Sequence, residues 1–304
     1  MIKPIFNFSP LQDPCTAGCT LVARALPLVP RSRSSWAVWT AGGTLALAAL
    51  FPVLARAQVG LIEPEEGYNF VSLGLGSTPD YIGSNDRKTA VAPAARYYFS
   101  GQQYVQLLGP QLSLNLLNHS TYQFGPQILV RLKRDGGVKD PIVSRMQTIG
   151  AQAELGVFAA ASWKLSEDPR NRFGIRGDVQ SGSKGAEGTL TANFFVPVSR
   201  AVVLNLGGGV GFANDKWAKT YFGVDGTDLT LFPALTGNRY APQGGFYDVR
   251  ANFGAIVHLS PTWHLGMGAR YQHLSGDFAG SPLVAQQGSR NQWIYGVALG
   301  YAWK

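Results

Sequence analysis

Residues 148–165, TIGAQAELGVFAAASWKL, decide the fold of this chain. The odd-numbered residues from Ile149 to Leu165 are all apolar, whereas the even-numbered ones are mostly polar or glycine, with Phe158 and Ala160 as exceptions. Successive side chains of a β-strand point to opposite faces, so a strand places all the odd positions on one face, and a helix would scatter them. The stretch therefore predicts a strand with one apolar and one polar face.

The same period of two recurs along the chain. It is strong at 249–259, 263–271 and 293–303, and weaker at 91–99, 122–133, 173–180, 189–196 and 202–212. Short connectors at 99–103, 165–171, 197–201 and 259–262 alternate with longer ones at 77–88, 134–147, 181–188, 213–245 and 275–290. For short and long connectors to alternate, residues 103–133 must run from one edge of the sheet to the other an odd number of times. Three short crossings give twelve strands, and a single crossing gives the alternative of ten.

The composition of the two faces separates a membrane barrel from a soluble sandwich. A sandwich buries bulky apolar faces in a sealed core, whereas the apolar faces here are rich in alanine and the opposite faces carry glycine and charges. Aromatic residues cluster near strand ends, as Trp293, Tyr295, Tyr301 and Trp303 do. Segments of about ten alternating residues with aromatic girdles are typical of outer-membrane barrels. We therefore predict an all-β fold, a monomeric, closed, antiparallel transmembrane β-barrel in the outer membrane of a Gram-negative cell.

The first 57 residues differ from the rest and predict a secretory leader. Arg31 and Arg33 precede a largely apolar run at 36–54, and Ala55 and Ala57 place small residues before a cut. This order is that of a signal peptide cleaved after Ala57; a membrane-anchoring helix is the alternative. The predicted domains are the leader, 1–57, and one outer-membrane barrel, 58–304. Both cysteines of the chain fall within the leader, so the exported part is expected to lack disulfides.

The sequence contains few motifs that indicate catalysis or ligand binding. The formal charge of +8 belongs partly to the leader and is too dispersed to indicate nucleic-acid binding. No pair of histidines has metal-ligand spacing, and there is no G-x-S-x-G motif. We therefore predict no enzymatic activity, no cofactor and no metal. The polar face carries charges that we expect inside the barrel, as a charged pore or as an internal ion-pair network: Arg96, Arg131, Lys133, Glu154, Lys164, Arg176, Asp178, Asp248, Arg250 and Arg270.

Several motifs carry a resemblance to a known family. In chain order they contain Pro79, Asp80, Tyr81, Gly83 and Ser84, then Gly125, Pro126 and Arg131, then Glu154 and Gly156, then Tyr221, and finally Gly276, Asp277, Ser281 and Pro282. With these motifs in this order, residues 68–303 resemble the MltA-interacting protein family (MipA/OmpV) of outer-membrane proteins. The resemblance implies that these residues have a structural or interaction role, and it implies no catalytic residues.

The resemblance also implies a function. The family's name-giving member is described as a scaffold between a lytic murein transglycosylase and a penicillin-binding murein synthase. We therefore expect a non-catalytic scaffold for enzymes of peptidoglycan synthesis and remodelling. Two alternatives remain: a porin-like channel through the charged interior, or a surface adhesin that uses loop 213–245, whose aromatic residues we expect to be exposed. Within the first loop, we expect Tyr81 and Ile82 to fold back over the barrel mouth.

Overall fold

A computed structural model describes residues 67–304 as a closed antiparallel barrel. Each strand pairs with its neighbours in sequence, and the first pairs with the last, from Asn69 opposite Trp303 to Ser77 opposite Tyr295. The predicted fold class and the count of twelve strands are confirmed, and the alternative of ten is not. The predicted leader and the cleavage after Ala57 lie outside the described residues.

The strands follow one another in simple up-and-down order. They are β1 (Asn69–Pro79), β2 (Arg87–Ser100), β3 (Gln103–Leu108), β4 (Gln111–Asn115), β5 (Tyr122–Arg131), β6 (Gln152–Lys164), β7 (Arg172–Gly182), β8 (Gly185–Pro197), β9 (Val202–Ala213), β10 (Gly245–His258), β11 (Trp263–Leu274) and β12 (Asn291–Trp303).

The outer surface of the barrel is apolar. In β6, Leu155 is 67% exposed and Val157 is 49% exposed, whereas Glu154 and Phe158, which flank this segment, are each 1% exposed. The odd-numbered residues of 148–165 that lie within β6 thus point outward. So extensive an exposed apolar surface is not compatible with water but suits a lipid bilayer. Closure of the ring pairs the backbone groups of every strand, as the hydrocarbon region requires.

Among the described residues, no helix combines the length and the apolar character needed to cross a membrane.

The two ends of the barrel differ. The end that holds Asn69 and Trp303 has short connectors, at 101–102, 116–121, 165–171, 198–201 and 259–262. The opposite end has the longest ones, at 132–151, 214–244 and 275–290. Outer-membrane barrels place short turns in the periplasm and long loops outside the cell. We therefore assign the first end to the periplasm and the second to the exterior.

One predicted connector is wrong. Residues 181–188 were expected to form a longer loop, but β7 runs to Gly182, which pairs with Gly185, and only Ser183 and Lys184 remain at the turn. Gly185 has φ +112°, in the region that favours glycine. Glycine adopts such a φ without steric cost next to a tight turn, so the serine and glycine content that indicated a loop belongs to a tight turn. The first loop is also shorter than expected, because β1 continues to Pro79.

The long outer loops contain short helices. These are α1 (Asp215–Phe222), α2 (Gly276–Gly280) and α3 (Pro282–Ala285), with 3-10 turns at Val143–Arg145, Gly226–Leu231 and Pro233–Leu235. We call the outer segments 80–86, 132–151, 214–244 and 275–290 together the extracellular cap, because they pack against one another over the mouth of the barrel.

Candidate functional site

Helix α1 anchors the extracellular cap. The Asn214 side chain caps its N-terminus and accepts hydrogen bonds from the backbone N–H groups of Trp217 and of Ala186 in β8, both at 3.0 Å. Its apolar residues Trp217, Tyr221 and Phe222 fall at helical spacing on one face, which is buried. Asn214 therefore fixes both the start of α1 and the attachment of this helix to the barrel wall.

The first apolar cluster of the cap surrounds Trp217, which is fully buried. The Trp217 ring lies 5.0 Å from that of Tyr247 in β10 and 5.8 Å from that of Phe222, measured between centroids. Phe278 of α2 contacts Phe222 edge-on at 5.3 Å. The cluster thus joins two outer loops to the barrel wall through aromatic packing.

A second apolar cluster lies around Tyr81 from the first loop, with Val143, Met146, Val224, Phe232 and Leu283. The Tyr81 hydroxyl donates to the backbone carbonyls of Leu283 and Gln287, at 3.4 Å in each case. Burial raises the pKa of Tyr81 above its usual range. The expected folding of Tyr81 over the barrel mouth is confirmed.

Motifs that are far apart in the sequence meet in the cap. Ser281 is fully buried, and its hydroxyl donates to the Phe222 carbonyl at 2.6 Å. The Asp277 carbonyl accepts from the Tyr240 hydroxyl at 2.6 Å, and the Gly83 N–H donates to the Gln292 side chain at 3.2 Å. The motif residues in or directly beside the cap are Pro79, Asp80, Tyr81, Gly83, Ser84, Tyr221, Gly276, Asp277, Ser281 and Pro282.

Three motif residues lie elsewhere, in the strand wall. Gly125 and Pro126 are in the middle of β5, and Gly156 is in β6, paired with Gln127. A Cβ atom on Gly125 would come within 1.8 Å of the Leu114 carbonyl oxygen, and one on Gly156 within 2.2 Å of that of Val179. These glycines allow neighbouring strands to approach closely, so their role is in the barrel wall.

The last two motif residues, Arg131 and Glu154, form the centre of the charged interior. The Arg131 guanidinium donates to both carboxylate oxygens of Glu154, at 2.5 and 2.6 Å, and to Glu187 at 2.5 Å. The Cζ atom of Arg131 also lies 5.5 Å from the centroid of the Trp217 ring and 5.3 Å from that of the Tyr221 ring. Because Glu187 is in β8 and Arg131 in β5, this ion pair connects strands that are not adjacent.

Polar contacts continue down the interior. Arg176 pairs with Asp178 at 2.8 Å and donates to Gln127 at 3.0 Å, while Gln127 donates to Gln180 at 2.9 Å. On the other side, Arg250 pairs with Asp248 at 2.9 Å. Two further interior cations have amide partners: Arg96 donates to Gln106 at 3.0 Å and Arg270 to Asn252 at 2.9 Å. These contacts have the form of a network across the barrel.

Two residues expected in the interior are not there. Lys133 lies beyond the end of β5, has a side chain that is 65% exposed, and pairs with Asp135 at 2.6 Å. Lys164 is the last residue of β6 and is exposed. At a strand end the inward direction no longer leads into the barrel, so a lysine side chain reaches water.

The aromatic residues of loop 213–245 are also placed differently from the expectation. Trp217, Tyr221, Phe222 and Phe232 are buried in the cap. Helix α1 turns its apolar face inward, so the loop shows little aromatic surface to the outside. The Asn214 cap followed by apolar residues at helical spacing was a signal that could have indicated this helix.

No group of three or more His, Cys, Asp or Glu side chains within residues 67–304 has the arrangement of a metal site. Two histidines do meet near the periplasmic end, where the Nδ1 atoms of His258 and His264 lie 2.8 Å apart. The other two, His119 and His273, contact local backbone and Asn291 respectively.

Comparisons with known proteins give one family match and several structural similarities. The family model described as MltA-interacting protein MipA matches residues 71–303. No curated protein sequence matches the chain. Among solved structures, the NanC porin is 9% identical, with 77% of this chain and 98% of that chain covered and a TM-score of 0.42. An outer-membrane channel from Pseudomonas putida F1 is 11% identical, with 80% and 97% covered and a TM-score of 0.45. The translocator domain of the autotransporter NalP from Neisseria meningitidis is 13% identical, with 80% and 90% covered and a TM-score of 0.37.

Proposed function

This chain belongs to the MltA-interacting protein (MipA) family of outer-membrane barrels, and from that premise we propose that it is a non-catalytic scaffold for murein-remodelling enzymes. The family's name specifies one partner, MltA, a lytic transglycosylase. A penicillin-binding murein synthase is the second partner that we propose. Both would act on peptidoglycan, so their contact surface on this chain must face the periplasm.

The contrast between the two ends of the barrel supports this proposal. The extracellular mouth is covered by a cap with two apolar clusters. The periplasmic end instead contains a recess of about 490 Å³, which we call the periplasmic recess. It is lined by Tyr68, Arg170, Arg200, His258, Pro261 and His264, among others. A recess with aromatic and basic walls suits an inserted segment of a partner, and it is the observation that carries the proposal.

The rim of the periplasmic recess is held in place by Arg170. Its guanidinium pairs with Asp168 at 2.7 Å in the same turn and donates to the carbonyls of Ser199 and Arg200, at 3.2 and 2.9 Å, in the next one. This contact joins turns 165–171 and 198–201. Binding to a preorganised rim avoids the entropic cost of ordering loops. Arg200 itself is exposed beside this joint and is free to face a partner's acidic groups.

Binding to a purified lytic transglycosylase of the MltA type tests the proposal. The barrel is reconstituted in lipid nanodiscs and the affinity is measured by biolayer interferometry, with an unrelated outer-membrane barrel as reference. Arg200→Glu in the periplasmic recess is expected to weaken binding about tenfold, because a rim charge is reversed. Arg239→Glu, an equally exposed arginine on the extracellular loop, is the matched control and is expected to bind like the unchanged chain.

Two results would count against the scaffold. One is binding no stronger than that of the unrelated barrel. The other is equal loss of affinity in both variants, since that would place the contact somewhere other than the periplasmic recess.

A further inference from the structure

A second, smaller cavity of about 130 Å³ lies between the extracellular cap and the barrel interior. We call it the subcap cavity. The cations on its wall are Lys88, Arg131, Lys133, Arg134, Arg250 and Arg270, and the carboxylates are Asp80 and Glu187. Cations therefore outnumber carboxylates on the wall of the subcap cavity.

Most of these cations already have a carboxylate partner. Arg131 is held by Glu154 and Glu187, as described above, and Lys88 pairs with Asp80 at 3.4 Å. Arg250 pairs with Asp248. Such pairs shape the wall of the cavity and leave little uncompensated charge for a ligand.

Arg134 differs from them. Its Nη1 donates to the backbone carbonyl of Tyr221 at 3.1 Å, which is a neutral acceptor. Its Nε is buried and has no hydrogen-bond partner among the described residues. Burial lowers the pKa of Arg134 to about 10, although Asp228 and two tyrosines oppose that shift. The group is therefore still charged at neutral pH, while a guanidinium that has five N–H donors leaves at least one buried donor unused.

The backbone holds Arg134 in position. Its N–H and carbonyl form two hydrogen bonds with Ile149, at 2.9 and 2.8 Å, in a short bridge just outside the barrel. A charged side chain on a fixed backbone, with a buried Nε–H donor that no acceptor meets, is the arrangement expected of an anion site, because an anionic ligand can supply the acceptor.

The other walls of the subcap cavity define the body of the ligand. They include the side chains of Tyr81, Tyr221 and Tyr247 and the apolar residues Leu129 and Ile294. An apolar cavity of about 150 Å³ accommodates benzene in another protein, so the size suits one small ring. Lys88 and Lys133, with side chains 36% and 65% exposed, stand on the outer edge of the wall, where they would attract anions from the medium.

We propose that the subcap cavity binds small organic carboxylates, with the carboxylate on the Arg134 guanidinium and the ring or short chain against the tyrosines. This site faces the outside of the cell and does not depend on the proposed contact with murein enzymes at the opposite end.

Calorimetric titration of the reconstituted barrel with benzoate tests the site. Benzamide, which has the same ring and no charge, and inorganic phosphate, which has charge and no ring, are titrated in parallel. We expect benzoate to bind and both comparison compounds to bind at least about tenfold more weakly, since each lacks one half of the recognition. This comparison uses the unchanged chain and requires no variant.

Arg134→Gln is the matching substitution, and it is expected to weaken benzoate binding by about tenfold or more because a charge-assisted contact is lost. Arg145→Gln is the control; that arginine is exposed on the same loop and donates to the Pro141 carbonyl. Each variant is first shown to be folded by its heat-dependent shift on gels. Equal binding of benzoate and benzamide, equal binding of phosphate, no binding of benzoate, or unchanged affinity in a folded Arg134→Gln variant would each overturn the proposal.

Discussion

At the scale of single residues, Arg131 lies at the centre of the charged interior. Its side chain and that of Glu154 are almost fully buried, and it pairs with two carboxylates at once. In Arg131→Met, Glu154 and Glu187 would face each other without a counter-charge. Removing one partner of a buried ion pair costs about 3–5 kcal/mol. We therefore expect a clear fall in the urea concentration at which the barrel unfolds in liposomes, followed by the gel shift of the folded form.

A compensating variant separates charge from packing in this prediction. The triple change Arg131→Met, Glu154→Met and Glu187→Met removes the whole buried triad, and apolar replacements of such triads are often neutral or stabilising. It should regain much of the stability lost in the single variant, while Arg145→Met, on the exposed surface, should change nothing. If the triple variant is as unstable as the single one, then packing rather than charge governs this site.

Tyr81 is the residue of the first loop on which the cap most depends. Tyr81→Ala is expected to cost about 3–5 kcal/mol, as for large-to-small changes in a core, and to lower the temperature at which the folded band disappears from gels. Tyr81→Phe keeps the ring and loses two long hydrogen bonds of 3.4 Å, so its effect should be small. An effect of Tyr81→Phe as large as that of Tyr81→Ala would show that the hydroxyl, and not the packed ring, is what matters.

At the scale of elements, helix α1 is fixed by its first residue. Asn214→Ala removes an acceptor shared by the N–H groups of Trp217 and Ala186. Loss of an N-cap costs about 1 kcal/mol, with a second unpaired donor in addition. Because Lys216 and Lys219 lie within α1, we expect faster cleavage there by trypsin. Asn238→Ala, in the same loop, is the control, because the Asn238 side chain donates to the nearby Thr236 hydroxyl and caps no helix. Equal cleavage of the two variants would contradict a capping role for Asn214.

The strands and the cap differ in how far the sequence predicts them. The period of two comes from an environment with lipid on one side and a polar interior on the other, so each strand carries its own signal, as β6 does. The alternation of short and long connectors required an odd number of crossings in residues 103–133, which allowed either three strands or one. The cap has no such repeat, because its shape depends on contacts such as that of Ser281 with Phe222, which are far apart in the chain.

For the charged interior too, the sequence predicts some residues and not others. Charges in mid-strand, such as Arg176 and Asp178, lie where alternation places them. At strand ends the alternation no longer determines which way a side chain points. Lys133 and Lys164 lie there, and the prediction that they face the interior was wrong. Arg134 was not singled out for the interior, because its environment is made by Tyr221 from a distant loop.

At the scale of the whole molecule, the two ends of the barrel have separate tasks in our proposals. The cap and the ion pairs at its base stiffen the extracellular end, and the short turns present the periplasmic recess. A typical stable interface buries about 800 Å² on each partner. Short turns supply so large an area only together, so a murein enzyme would have to cover several of them as well as the recess.

Conductance in planar bilayers tests how completely the cap closes the barrel. The unchanged chain is expected to show no discrete current steps, because Trp217 packs over Arg131 at 5.5 Å and the Arg131–Glu187 pair connects strands β5 and β8 beneath it. A variant in which residues 215–243 are replaced by a short glycine–serine turn loses α1 and the Trp217 cluster, so ion-dependent steps should then appear. The refolded variant must retain its heat-dependent gel shift, which shows that the barrel is still closed in the membrane. Steps in the unchanged chain would favour the porin-like alternative, whereas a silent shortened variant would mean that the interior network, and not the cap, blocks the path.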